Sequence, residues 1–339
     1  MITSRPVRTR IAAVVVSSAI ALALTATHVA GASDCHGPVS PCINDDTLWP
    51  HAGPALFEAV GSGQTVPAGR IGFGLVTTYL SRPVVLELVS PGQGTDANAV
   101  NDLVNGSFLW SYGATDRLEL DLALPLTFGQ GGTGLAPVTG GAGLKDTAVR
   151  DMRFGFAYAI IPRPRLVAHE GWSLVGRFEV SAPTGDDDQF ASDGTAVFVP
   201  SLAGEGRLER WFVGAEVGAR VRPITQFLGA RVGTQLLAAL GVVYEILPRE
   251  LLSAEVEAWA LPTLAEQETP ALVNGAYGGR LNGSHITPAE WQLSVRSAPL
   301  RTGDLSIELG GGGGIPLSGD FPITTPRFRF TLGLRWVGR

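Results

Sequence analysis

Histidines, cysteines and clustered carboxylates are scarce in this chain, and that limits the chemistry it can do. Five histidines occur. His28 falls in an apolar leader, His36 and His51 in an irregular segment, and His169 in a turn between strand-like stretches. Only His285 stands beside a nucleophile, in Asn282-Gly283-Ser284-His285. Acyl transfer would need an oriented base for the Ser284 hydroxyl and an oxyanion hole. Adjacent residues in a glycine-containing loop supply neither, so a polar loop is the better reading. No catalytic residue is expected, and the protein is expected not to be an enzyme.

Asp186, Asp187, Asp188 and Asp193 could attract a hard cation. Their spacing is not that of an EF-hand, so a solvated acidic loop tip is expected. The run Gly310 to Gly314 lacks the Lys-Ser/Thr and the helix of a phosphate loop. Cys35 and Cys42 are the only cysteines and lie close together. In an oxidising compartment they read as a small disulfide loop. With only His36 beside them they do not complete a closed zinc site. No metal and no other cofactor is expected.

The chain has 339 residues, 44 of them glycine, and 17% are charged, against roughly 25% in soluble domains. Yet beyond residue 32 no apolar run approaches the roughly 18 residues of a spanning helix. This argues against a helical membrane protein, and the apolar content argues against a disordered chain. The glycines have no three-residue period, which excludes collagen. Net charge is −6 and Lys145 is the only lysine, so no basic patch suggests nucleic acid.

Residues 1–32 read as a signal peptide. Arg5, Arg8 and Arg10 precede an apolar stretch, and Ala30-Gly31-Ala32 is a cleavage site. Asp34 before Cys35 argues against a lipid-attachment cysteine. Residues 33–68 are punctuated by Pro and Gly and read as a periplasmic arm, with one short helix around Ala55 to Val60.

From there the period is two. Leu118, Leu120, Leu122 and Leu124 alternate with Glu119, Asp121 and Ala123. Phe154, Phe156, Tyr158 and Ile160 alternate with Gly155, Ala157 and Ala159. About twelve strands are expected, starting near Arg70, Val100, Leu118, Ala148, Trp172, Ala196, Trp211, Ala230, Leu251, Ala289, Asp304 and Arg327. At roughly 9–13 residues each they suit a tilted bilayer crossing. Short connections (113–117, 209–210, 247–250, 299–303) alternate with long ones (81–99, 127–147, 183–195, 262–288), the asymmetry of outer-membrane barrels. The ten-residue connection 162–171 is the exception. Tyr112, Tyr158, Trp172, Trp211, Tyr244 and Trp336 lie on the apolar parity beside the short turns, where an aromatic girdle belongs. An all-β, antiparallel, up-and-down transmembrane barrel over residues 69–339 is therefore expected in the bacterial outer membrane. Its arm and carboxy terminus are expected on the periplasmic side.

The opposite parity carries both signs of charge. Its acids are Glu119, Asp121, Asp151, Glu179, Glu216, Glu255, Glu257, Glu290 and Glu308. Its bases are Arg153, Arg177, Arg220, Arg231, Arg296, Arg329 and Arg335. Two interiors fit this lumen-lining set: a ladder of ion pairs filling the barrel, or a water-filled path that screens solutes. Inward glycines such as Gly72, Gly74, Gly155, Gly214, Gly218 and Gly233 leave space, which the arm could occupy as a plug.

Several stretches resemble a known family. They are Thr47-Leu48-Trp49-Pro50-His51-Ala52-Gly53-Pro54, Tyr79-Leu80-Ser81-Arg82-Pro83-Val84-Val85 and Asp146-Thr147-Ala148-Val149-Arg150-Asp151-Met152-Arg153-Phe154-Gly155. Ser181-Ala182-Pro183-Thr184-Gly185-Asp186, Leu247-Pro248-Arg249-Glu250-Leu251-Leu252-Ser253-Ala254 and Thr324-Thr325-Pro326-Arg327-Phe328-Arg329-Phe330 complete the set. In order and spacing these look like the amino-terminal barrel of OmpA-family proteins of myxobacteria and related bacteria. The resemblance implies a barrel anchored in the outer membrane. In that family a calcium-binding repeat and a peptidoglycan-binding domain usually follow the barrel. The sequence ends at Arg339, so the expectation is a barrel without that tether. The last strand resembles the insertion signal of bacterial barrels, with Trp336 near its end. More loosely, the pattern resembles outer-membrane transporters of the aromatic-degradation type. The functional expectation is a passive channel or transporter for small solutes. The alternative is a structural barrel with a filled lumen displaying its loops. Expected partners are outer-membrane lipid, the barrel-insertion machinery and small solutes, with no nucleic acid. The oligomeric state and the solute are left open.

Overall fold

A strand inside a bilayer finds no water for its backbone, so its sheet must close on itself. The computed structural model describes residues 35, 37, 39–88, 95–139, 143–162, 170–227, 229–247, 251–273, 276–297, 305–317 and 321–338. The expected signal peptide, His36, His169 and the expected turn 299–303 lie outside them. Twelve strands form a closed antiparallel barrel. They are β1 (Ile71–Leu88), β2 (Thr95–Gly113), β3 (Leu118–Gly131), β4 (Arg153–Ile161), β5 (Glu170–Ser181) and β6 (Val197–Leu208). Then come β7 (Trp211–Arg220), β8 (Gln235–Leu247), β9 (Leu252–Ala260), β10 (Ala289–Ser297), β11 (Leu305–Gly314) and β12 (Phe328–Val337). Each strand pairs with its sequence neighbour. β12 returns to β1 from Gly72↔Val337 to Ser81↔Phe328, leaving no edge.

The two faces are inverted relative to a soluble sheet. Phe154, Phe156, Tyr158, Leu236, Leu240, Val213 and Val217 are exposed on the outside, while charged residues are buried inside. Of the aromatic residues beside the short turns, Tyr158, Trp172, Trp211 and Trp336 are exposed. Tyr112 and Tyr244 are half-buried on the same face. Trp211 and Tyr244 are register partners, with ring centroids 4.7 Å apart. Leu240 is 64% exposed at the middle of β8, between Ala215 and Ala258. Leu240→Arg is expected to lower stability by ~2–4 kcal/mol, the cost of a cation at the bilayer midplane. Urea titration of folding into lipid vesicles measures it, and an unchanged midpoint would mean that this face does not meet lipid.

Four expectations need correction. β1 does not stop at Ser81. It passes Arg82-Pro83 through a register shift that resumes at Val84↔Val100, so Pro83 needs no ladder hydrogen bond. The strand expected from Ala148 is broken: Ala148–Val149 pairs with β3, and β4 begins only at Arg153. The strand expected from Ala230 is a three-residue piece paired with Thr225–Phe227, and β8 begins at Gln235. The long connection 262–288 holds a hairpin of its own, Glu268–Val273 against Ala276–Leu281.

The arm forms no helix between Ala55 and Val60. Nor does it lie at one mouth of the barrel. Ser40 N donates to Gln226 O beside the long loops, and Gly69 N donates to Gly113 O at a short turn. Residues 40–69 therefore thread the lumen from the long-loop mouth to the short-turn mouth.

Candidate functional site

The site is the lumen itself, and its chemistry follows from how wall charges meet the arm. Alternation puts successive acids of one strand, such as Glu255 and Glu257 of β9, on the same inward face. Lacking periodic structure, the arm offers its own N–H and C=O groups to them. The wall supplies the partners that a helix or sheet would otherwise provide.

At the long-loop mouth the disulfide Cys35–Cys42 is formed, with Cα atoms 5.5 Å apart. It packs on Gly194, whose φ of +62° leaves no room for a side chain: a Cβ would lie 2.3 Å from Cys35 Sγ. Arg222 binds Asp193 and donates to Cys42 O at 3.2 Å. Arg150 reaches Asp45 at 2.7 Å. Burial pushes the Asp45 carboxyl up to about 6, with Arg150 pulling the other way.

Deeper, Arg329 of β12 is fully buried. It donates to both oxygens of Glu290 at 2.8 and 3.1 Å and sits 2.9 Å from Asp46 Oδ1. Thr47 Oγ1 donates to Glu290 and accepts from Trp259 Nε1 at 3.2 Å. The Trp49 ring lies between two wall guanidiniums, 4.1 Å from Arg220 and 5.0 Å from Arg153. Those arginines also donate to Thr47 O and Pro50 O, and Arg153 pairs with Glu179 at 3.1 Å.

In the middle, His51 Nε2 lies 3.1 Å from Glu216, which also accepts from Gly61 N. The Phe57 ring presses on Gly214 and Gly241, register partners on β7 and β8. Glu257 accepts from Glu58 N at 3.2 Å and Ala59 N at 2.9 Å. Glu58 is held by Arg335, which also donates to His51 O. Arg296 donates to Ala55 O and to Glu308, with Glu255 at 3.9 Å. Towards the short turns, Arg177 donates to Ser62 O at 2.9 Å and lies 3.9 Å from Asp121. Glu205 accepts from Gly63 N, and Glu119 from Val66 N.

Two members of the expected set are not on barrel strands. Asp151 sits in the connection before β4. There it accepts from Thr184 N, Gly185 N, Ser192 Oγ and Asp193 N, and burial with Asp193 nearby raises its carboxyl to about 6. Arg231 belongs to the short outer hairpin, 3.5 Å from Glu268. The strands are interrupted at Gly233 and over 150–152, so alternation does not carry these two residues onto the barrel wall. Residues the alternation could not supply are Asp45, Asp46, Thr47, Trp49, His51, Phe57 and Glu58, all in the arm. The one sequence signal for them is the presence of Trp49 and Phe57 in an otherwise irregular segment.

The remaining candidates fall outside the lumen. Ser284 Oγ donates to Asn282 Oδ1 at 2.6 Å, not to His285, and both Ser284 and His285 are exposed. Asp186 accepts from Val149 N and Asp188 pairs with Lys145 at 3.5 Å, so both fasten loops. Gly310 to Gly314 are strand residues of β11. Gly312 is pressed so close to β10 that a Cβ would sit 1.8 Å from Trp291 O.

Two cavities near Trp49 and Arg220 measure about 20 Å³ each, room for about one water molecule apiece.

No protein-family model matches the sequence, and no curated protein matches it significantly. The fold is similar to that of an outer membrane channel from Pseudomonas putida F1 (17% identity, TM-score 0.54, 82% of this chain and 98% of that one). Looser likenesses are the NanC porin (8%, TM-score 0.44, 78% and 98%) and outer membrane phospholipase A from Escherichia coli (11%, TM-score 0.35, 81% and 98%). At such identities the likeness shows the fold, that of an outer-membrane β-barrel.

Proposed function

We propose that this barrel is a channel for small solutes whose lumen is closed by its own arm, residues 33–68. The observation that carries this reading is the kind of contact that fills the lumen. Wall carboxylates and guanidiniums bind the arm largely through its backbone, so withdrawing the arm would leave a polar, charge-lined wall that water can occupy. A barrel filled for good needs no such wall. In this reading the short turns and carboxy terminus face the periplasm and the long loops face outward, which suits the OmpA-type resemblance. The barrel-insertion machinery assembles it, as it does outer-membrane barrels generally.

Planar-bilayer recording tests the proposal, comparing the mature chain with a variant lacking residues 33–66. The intact barrel is expected to be nearly silent and the shortened one to conduct steadily. Heat-modifiable migration on gels confirms that the variant has folded. A folded but silent variant would favour the second reading, a structural barrel, which the buried wall-to-wall pairs Arg329–Glu290 and Arg153–Glu179 support. Free conductance by the intact chain would remove the closing role of the arm.

A further inference from the structure

Between the middle of the lumen and its short-turn end, charge and oxygen lone pairs are in surplus. Glu255 and Glu257 lie on β9, Glu308 on β11 and Glu58 on the arm. The wall arginines that contact this group are Arg296 and Arg335. Four carboxylates thus face two guanidiniums. Arg335 is taken up by Glu58, and Arg296 gives its two terminal nitrogens to Ala55 O and Glu308, while its Nε has no acceptor.

Glu255 gains least. It is 2% exposed, and neither carboxylate oxygen accepts a hydrogen bond. Glu308 Oε1 has no donor either, and neither does the hydroxyl of Ser294, the register partner of Glu255 on β10. Buried carboxylates without a donor are costly unless they are neutralised, by a proton or by a cation standing among them. One oxygen each from Glu255, Glu257 and Glu308 lie within 4.8 Å of one another. That is close enough for one ion to bridge them, and a buried set of three carboxylates suits calcium, which takes flexible all-oxygen coordination, better than magnesium, which keeps several waters. An oxygen-only donor set also disfavours zinc and copper.

We propose that Glu255, Glu257 and Glu308 form a binding site for a hard divalent cation of the calcium class. The ion would rest against the arm, because Glu257 also holds the N–H groups of Glu58 and Ala59. The proposal does not depend on transport.

The test is calorimetric titration of the mature, EDTA-stripped protein in detergent micelles with CaCl2 and, separately, MgCl2. One calcium per chain is expected, bound about tenfold tighter than magnesium. Glu255→Gln should weaken it by at least about tenfold, since it removes a ligand charge. The outer-loop pair Asp187→Asn and Asp188→Asn should leave it unchanged. Absence of saturable calcium binding by the wild-type protein overturns the proposal. So does binding that survives Glu255→Gln, or binding that disappears with the outer-loop pair. If Glu255→Gln fails to fold, Glu308→Gln puts the same question to the opposite strand.

Discussion

Replacing Arg329 with alanine is expected to destabilise the folded barrel by about 3–5 kcal/mol, the range for removing one partner of a buried ion pair. The guanidinium is fully buried, holds both oxygens of Glu290 and touches Asp46 from the arm. Its removal leaves two carboxylates facing each other across Thr47, which donates to one of them. Most of the loss is thus the stranded charge, not the lost pair. Arg329→Met combined with Glu290→Leu should therefore recover part of the stability, since an apolar pair of similar volume is often neutral. Urea titration of folding into vesicles measures both. A single-variant loss below about 1 kcal/mol, the scale of a solvated pair, would mean that water reaches this part of the lumen.

Phe57→Ala is expected to loosen the arm by about 3–5 kcal/mol, as for a large core side chain cut to a methyl group. The buried ring packs in one cluster with Phe212, Ala239 and Trp259 of the wall and with Leu48 and Val60 of the arm. It fits there because β7 and β8 carry glycine at adjacent register positions. A Cβ on Gly214 or Gly241 would meet the ring at 2.5 or 2.3 Å. Gly241→Val should consequently act in the same direction as Phe57→Ala, although it adds volume where the other removes it. Both variants should raise bilayer conductance over the intact chain. If Gly241→Val stays as silent as the wild type, the ring is not what seals the lumen.

How much of this could be read beforehand depends on periodicity. The strand faces were legible because residues such as Phe154, Phe156 and Tyr158 repeat every second position. The long-loop ends were less so: Ser81-Arg82-Pro83 looks like a terminus, and β1 continues only because Arg82 and Pro83 bulge out opposite the single residue Asn101 of β2. The arm was the hardest. Ala55, Leu56, Glu58 and Ala59 are good helix formers, but the surroundings of this stretch include carboxylates that take N–H groups directly. Glu257 claims those of Glu58 and Ala59, and Glu216 that of Gly61, so a helix has nothing to add. That competition lives in the wall, about 200 residues away along the chain (199 from Glu58 to Glu257), where no local pattern records it.

The threading of the arm also sets a direction. At the short-turn mouth it runs covalently into β1 through Gly69, whose φ of +73° makes a bend. At the long-loop mouth its contacts include Arg222 on Cys42 O and Arg150 on Asp45. The arm is a stopper on a leash, with its knot at one mouth and its latch at the other. In the proposed channel, release of the arm would begin at the long-loop mouth, because its other end stays attached to β1 through Gly69.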